Sequence, residues 1–311
     1  MLSVPRQSVL SLGQYPPPDQ VIVHLSDTHF VAGAAPLMGT VDSDGHLAEA
    51  LRGLVASGLR PAAIVVTGDI ADTGAADAYG RVRGMLEPVA AELGARLVWV
   101  MGNHDDRAAF RAGLLDGEPS DAEVDAVYDL DGLRLIVLDS TVPGHHWGLL
   151  TPAQLEWLAG VLATPAPRGS ILAMHHPPLP IPVVLSQLIE LREQDALEAV
   201  LAGSDVRGII AGHLHYSTWS TFAGIPVSAA AATCYTVDLL MPAPSMRGQD
   251  GAQAFNLIHV YPGQIVHSIV PLGDHPTAFE IPVTDEQLAM LAQLGPEEQE
   301  AIMAAHDPDN A

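Results

Sequence analysis

The stretch Leu97-Val98-Trp99-Val100-Met101-Gly102-Asn103-His104-Asp105 decides how the chain is read. Its first five residues are apolar and of strand length, and a glycine ends the run. Asn103 and His104 then carry polar groups that neither a strand nor a core accepts without partners. In open α/β folds, side chains just past the carboxyl ends of strands are where ligands bind. The pattern recurs on both sides. Run 21–25 leads into Asp27-Thr28-His29, and run 62–66 into Gly68-Asp69. Run 171–174 leads into His175-His176, and run 206–211 into Gly212-His213-Leu214-His215. Five strand-like runs therefore deliver Asp, Asn or His at the same end.

Around these runs the chain alternates between strand and helix. Leu47, Ala50, Leu51, Leu54 and Val55 recur at helical spacing over 46–57, and helices are also predicted at 75–93, 107–115 and 184–201. Thr151 and Pro152 open another helix through residue 162, as cap and first helical residue. Asp131-Gly132 between runs 127–130 and 133–138 is a hairpin signature. Further strands are predicted at 217–222, 225–229, 255–261 and 265–270. The expectation is an α/β fold: two mixed β-sheets packed as a sandwich and flanked by helices. A flexible leader (1–20), a catalytic-type domain (21–272) and a C-terminal tail (273–311) divide the chain. The tail is expected to hold one acidic amphipathic helix, 284–305, packed on its own body or on a second subunit.

The chain has 311 residues, 48% of them hydrophobic, enough for a large core. Lys and Arg number 13 against 37 Asp and Glu, a formal net charge of −24. That balance disfavours a nucleic-acid polymer, whose phosphates need basic residues, and suits divalent cations. Cys234 is the single cysteine, so an intrachain disulfide is excluded. No apolar run reaches 18 residues; the best candidate, 171–185, is broken by His and Pro. Residues 1–20 lack a signal-peptide core. No transmembrane segment and a cytoplasmic location are the expectations.

Asp27, His29, Asp69, Asn103, His175, His213 and His215 offer carboxylate, imidazole and amide oxygen, the donors of intermediate divalent metals. No thiolate accompanies them, which argues against a structural zinc site. Asp27 and His29, like His213 and His215, stand two apart, so on extended backbone each pair faces one way. Seven donors are too many for one four-coordinate ion and suit two ions about 3.5–4 Å apart sharing a carboxylate.

In order and in type, Asp27-x-His29, Gly68-Asp69, Gly102-Asn103-His104-Asp105, His175 and Gly212-His213-x-His215 resemble the five-part signature of the calcineurin-like metallophosphoesterases, over about residues 21–216. Three longer stretches are similar to the mycobacterial class III 3′,5′-cyclic nucleotide phosphodiesterases. They are Gly102-Asn103-His104-Asp105-Asp106-Arg107, Val142-Pro143-Gly144-His145-His146 and Ala211-Gly212-His213-Leu214-His215-Tyr216-Ser217-Thr218. That similarity runs on through Ala231, Thr233-Cys234-Tyr235 and Asp250-Gly251-Ala252-Gln253.

The resemblance implies two metal ions per chain, iron with manganese or zinc. Asp27, His29, Asp69 and His215 would hold one; Asp69, Asn103, His175 and His213 the other. His104 would not be a ligand but would face the scissile phosphate, as a proton donor to the leaving oxygen or as a transition-state hydrogen bond, so Asp69, Asn103 and His104 form the catalytic set. The implied reaction is hydrolysis of 3′,5′-cyclic AMP or GMP to the 5′-monophosphate by in-line attack of a hydroxide activated between the ions. Two alternatives stand beside it. One is a broad phosphodiesterase or phosphomonoesterase, acting for example on 2′,3′-cyclic nucleotides; the other is a scaffold without chemistry. His145 and His146 read either as a surface loop or as a cleft wall with His146 near the substrate, and Asp72 or Asp105 as a carboxylate that orients a nearby His. His176 reads as structural, Arg107 as a helix cap and Cys234 as a small buried residue. Trp147, Tyr216 and Tyr235 read as packing or base-stacking groups. A homodimer is implied, with the apolar segments 229–232 and 239–241 offered as contact.

Overall fold

The computed structural model describes residues 11–305. The first half alternates strands and helices: β1 (Gln20–Leu25), α1 (Ser43–Ala56), β2 (Ala63–Thr67), α2 (Ala76–Leu93), β3 (Arg96–Val100) and α3 (Arg107–Leu114). The hairpin of β4 (Ala126–Leu130) and β5 (Leu133–Leu138) follows, then α4 (Pro152–Leu162), β6 (Ser170–Met174), α5 (Gln194–Leu201) and β7 (Val206–Ala211). The remainder is mostly strand: β8 (Thr218–Phe222), β9 (Ile225–Ala229), β10 (Thr236–Val237), β11 (Gly248–Gln249), β12 (Ala254–Val260) and β13 (Ile265–Pro271). Helices α6 (Asp285–Leu291) and α7 (Pro296–Ala305) lie in the tail.

Two sheets carry the fold, with strand orders β13-β12-β1-β2-β3 and β4-β5-β6-β7-β9-β8. Strands β1, β2 and β3 are parallel, as are β5, β6, β7 and β9. Parallel strands need both faces covered, and alternate side chains supply the two coverings. Ile22, Val65 and Val98 of the first sheet meet Leu135, Ile171 and Ile210 of the second in one buried layer. Their neighbours Val23, Ile64 and Trp99 pack against α1, α2 and α3. Leu172 and Ile209 pack against α4 and α5. The expected sandwich of two mixed sheets with helices outside is the observed architecture.

Local chemistry places most elements. Asp42 caps α1 by accepting the Gly45 N–H, and Thr151 and Gln154 form the capping box of α4. Three expectations are corrected. The helix expected over 184–201 is two pieces, a 3₁₀ segment Val184–Ile189 and then α5. Between them the chain pairs with residue 148: the Gly148 N–H donates to the Glu190 carbonyl, and the Arg192 N–H to that of Gly148. The tail helix expected over 284–305 is likewise split, because Gly295-Pro296 ends α6's continuation and starts α7. Of the two apolar segments offered as a dimer contact, 229–232 is buried in the chain's own core. In the other, Leu239 and Leu240 are exposed.

Residues 20–273 make one compact unit, and described residues 11–19 and 274–305 group as a second. The first ten residues of the expected leader lie outside the described residues. Among those described, no helix is long and apolar enough to cross a membrane.

Candidate metal centre

The loops that follow β1, β2, β6 and β7 are stitched to one another across the two sheets. The Asp27 N–H donates to Gly68, the His29 N–H to Asp69, and the Gly212 N–H to His175. The His213 N–H donates to the Asp27 carboxylate at 3.0 Å. Such close approach leaves no room for a side chain at residue 212, where a Cβ would lie 1.8 Å from Ser26 Oγ. Asp27, His29, Asp69, His213 and His215 all have left-handed backbones, with φ of 52°, 44°, 48°, 74° and 56°. Non-glycine residues avoid this region and hold it only where surroundings over-determine it, commonly at functional sites.

The seven donors converge as two overlapping groups. Ligand atoms of Asp27, His29, Asp69 and His215 all lie within 4.8 Å of one another. In the second group His175 Nε2 is 3.3 Å from Asp69 Oδ2, 3.1 Å from Asn103 Oδ1 and 3.2 Å from His213 Nδ1. Asp69 belongs to both, since its Oδ2 is also 3.4 Å from His29 Nε2.

Each imidazole has its outer nitrogen anchored. His29 Nδ1 meets the Asp72 carboxylate at 3.1 Å, and His215 Nδ1 meets the Tyr235 carbonyl at 3.0 Å. His175 Nδ1 meets the Thr67 carbonyl at 2.7 Å, and His213 Nε2 that of Ile189 at 2.8 Å. Those oxygens only accept, so the outer nitrogens carry the protons and the inner nitrogens face the centre. Metal-binding histidines are held in this way. Among the described residues, buried His29 Nε2 has no hydrogen-bond partner, only the ion-pair contact with Asp69. With the rings neutral, His175 Nε2, Asn103 Oδ1 and His213 Nδ1 crowd together with only acceptor atoms turned inward. A cation satisfies such a cluster, and the donor set fits two.

Electrostatics agree with that fit. Burial, and then the neighbouring His175 or His29, lowers His213 and His215 to about 3, so both rings are neutral. Burial opposes charge on His29 and His175 too, but Asp69 outweighs it, with Asp72 helping at His29. The two rings are raised to about 10 and about 9. Asp69 is itself held well below the usual range by His175 and His29, against its burial. Positive charge is thus demanded at the centre. Cys234 Sγ lies 3.8 Å from His215 Nδ1, the anchored nitrogen, and burial and then Asp27 push its thiol well above the usual range. It is a buried small residue rather than a donor.

At the rim, His104 Nδ1 donates to the Asp72 carbonyl at 2.9 Å, and its ring stands edge-on to His29 with centroids 4.7 Å apart. Its N–H donates to Asp69 Oδ1 at 2.8 Å. The His146 ring lies 5.3 Å from the His104 ring, and its Nδ1 is 3.1 Å from Asn103 Nδ2. Beside Asn103 is a cavity of about 390 Å³ lined by Met101, Asp121, Thr141, Val142 and Pro143, among others.

Two sequence readings change here. Of the two carboxylates offered as orienting groups, only Asp72 touches a histidine. Asp105 accepts the N–H groups of Ile70, Ala71 and Gly102 and the Tyr79 hydroxyl. Arg107 is not a cap: Asp106 caps α3 by accepting the Ala109 N–H, while Arg107 pairs with buried Asp139 at 2.9 Å. Arg192 lies over the Trp147 ring at 4.0 Å, and the Tyr235 ring packs at a tilt against His215 with centroids 4.3 Å apart, so each has a packing role. The carbonyls of Thr67, Ile189 and Tyr235 are functional groups that no residue type announces, because every residue carries one.

Residues 21–217 match the family model described as calcineurin-like phosphoesterase. The chain is 59% identical over 264 residues to the cAMP/cGMP dual specificity phosphodiesterase of Mycobacterium tuberculosis, covering 85% of this chain and 83% of that one. It is 55% identical over 282 residues to a probable cyclic nucleotide phosphodiesterase of Rhodococcus erythropolis, covering 91% and 93%. Among solved structures, a purple acid phosphatase from yellow lupin shares the fold with a TM-score of 0.53 at 12% identity, over 78% of this chain and 50% of that one. The chain belongs to the calcineurin-like phosphoesterase family.

Proposed function

We propose that the protein is a dimetal phosphodiesterase that hydrolyses 3′,5′-cyclic AMP and cyclic GMP to their 5′-monophosphates. The inward convergence of seven donors about Asp69 carries this reading, in a chain 59% identical to a relative named for that dual activity. In it, Asp27, His29, Asp69 and His215 hold one ion and Asp69, Asn103, His175 and His213 the other. Iron paired with manganese or zinc suits these nitrogen and oxygen donors. Such a pair supplies positive charge for the phosphoryl oxygens and acidifies a water.

The remaining work falls to the chain. Four anchored imidazoles and Asn103 hold fixed directions, so no reorganisation accompanies the reaction. His104 has its Nδ1 engaged by Asp72, which leaves Nε2 to deliver a proton to the departing 3′ oxygen of ribose. His146 stands next to His104, within reach of a phosphate oxygen or ribose hydroxyl. The cavity beside Asn103 takes the nucleoside. A homodimer and a cytoplasmic location belong to the same reading, the dimer resting on the exposed Leu239 and Leu240. Sedimentation that finds only single chains at micromolar concentration removes the dimer.

The test is to purify the protein without chelator and compare 3′,5′-cyclic AMP, 2′,3′-cyclic AMP and bis(p-nitrophenyl) phosphate, with Asn103→Ala as control. Turnover of 3′,5′-cyclic AMP that disappears in the variant supports the reading. Strong action on the other two esters without it moves the assignment to a broad phosphodiesterase.

A further inference from the structure

His176 is buried directly behind the centre, its ring packed against those of His213 and His175 with centroids 4.4 and 5.0 Å away, yet its two nitrogens bond to groups outside the donor set. Its Nε2 meets the main-chain carbonyl of His146 at 3.1 Å. Since that carbonyl only accepts, Nε2 carries the proton. Its Nδ1 is 2.8 Å from Ser140 Oγ, which also accepts the His176 main-chain N–H at 3.2 Å. The segment between residues 140 and 149 is therefore closed over this ring. Its base is shut by the Leu149 N–H donating to the Ser140 carbonyl. Gly148 runs so close that a Cβ there would lie 2.5 Å from His176 Cγ.

What the ring holds in place is the residue at the tip. His146 is exposed, and its main chain is anchored through this carbonyl contact. Its own ring reaches Asn103 Nδ2 at 3.1 Å, and the opposite end of that amide, Oδ1, is 3.1 Å from His175 Nε2. An amide has two ends of nearly equal size and opposite hydrogen-bonding character. An imidazole nitrogen that accepts from Nδ2 makes the two orientations unequal and turns Oδ1 inward.

We infer that His176 is a positioning residue: by holding the His146 carbonyl it aims the His146 ring at Asn103, and so fixes which end of the Asn103 amide faces the metal centre. This rests on the dimetal reading proposed above. Its consequence is that one of the two ion sites, the one that includes Asn103, depends through His146 on a side chain that is not itself a ligand.

A double-mutant cycle on the full chain tests this, with His176→Phe, His146→Ala and the pair. Manganese(II) affinity at both sites is read by titration, and kcat for bis(p-nitrophenyl) phosphate is read alongside. His176→Phe is expected to weaken one manganese site about tenfold and leave the other unchanged, the range found for groups that orient ligands. In the His146→Ala background the same change costs less than about twofold, because the pathway it acts through is gone. His176→Gln, which can still donate to the carbonyl, recovers most of the affinity. If His176→Phe fails to fold, His176→Asn replaces it, being long enough for Ser140 and too short for the carbonyl. An equal loss in both backgrounds, or equal weakening of both sites, overturns the inference. A wild-type chain that binds no manganese at all overturns the dimetal reading itself, which sets the two failures apart.

Discussion

His175 Nδ1, at the end of a strand of the second sheet, donates to the carbonyl oxygen of Thr67, at the end of a strand of the first, over 2.7 Å. The bond joins the two sheets at the point where Asp69, two residues beyond Thr67, also meets His175. The candidate metal centre is therefore the seam of the sandwich at this end. Asp27 and Asp69 are buried carboxylates there, and both are left-handed, as are His29, His213 and His215 beside them. Removing the cations should loosen the seam. An ion present at 100 times its Kd stabilises the folded state by about 2.7 kcal/mol. In a chain of this size each kcal/mol moves Tm by about 2–4 °C. Exhaustive chelation is expected to lower Tm by about 5–10 °C, reversed by manganese, in a thermal melt. An unchanged Tm would show that the seam holds without them.

His104 is placed to protonate a leaving oxygen, and the need for that proton depends on the leaving group. Ribose 3′ alkoxide is a poor leaving group, and general acid catalysis is worth about 10²–10⁴-fold. His104→Ala is expected to lose that much of kcat on 3′,5′-cyclic AMP. On bis(p-nitrophenyl) phosphate, whose phenolate departs unprotonated, the loss should be far smaller. Equal losses on both esters would make His104 a binding group instead.

The cavity beside Asn103 predicts a separation of substrates. Val142 lines it, half-buried, and touches none of the donors. Val142→Trp fills the space where the nucleoside is proposed to lie. KM for cyclic AMP should rise about tenfold, the scale of losing pocket contacts, while bis(p-nitrophenyl) phosphate kinetics stay near wild type. A KM that rises for both, or for neither, places the nucleoside elsewhere.

His24 makes the fold acid-sensitive independently of the metals. Its Nε2 meets Thr67 Oγ1 at 2.8 Å, its Nδ1 has no partner among the described residues, and the ring is fully buried. Burial, and then His267, lowers its pKa to about 3 from 6.5. The unfolded chain therefore binds a proton that the folded one refuses between those values. Stability from the neutral ring is complete above pH 6.5 and is lost as pH falls below it. The loss is about 2 kcal/mol by pH 5. Denaturant midpoints of His24→Leu should fall less steeply from pH 7 to pH 5 than those of wild type. Parallel profiles would assign the sensitivity to other groups.

What the sequence determined by itself was local and repeated. Five apolar runs, three of them ended by Gly68, Gly102 and Gly212 and each followed by Asp, Asn or His, marked the strand ends and the candidate donors beside them, because a strand's end and its polar exit are written in adjacent residues. The two-sheet sandwich followed from the same runs, since strands buried on both faces need helices outside and another sheet within. Tertiary structure decided what holds those donors. The partners of His175, His213 and His215 are carbonyls of Thr67, Ile189 and Tyr235, which carry no residue-type signal and become partners only when topology brings them near. The carbonyl of Ile189 is available to His213 because the helix expected over 184–201 breaks there, where the chain leaves its own ladder to pair with Gly148. Helical spacing in that segment was real, but local propensity yields to a pairing between residues some forty positions apart, and a linear sequence does not display that distance closing.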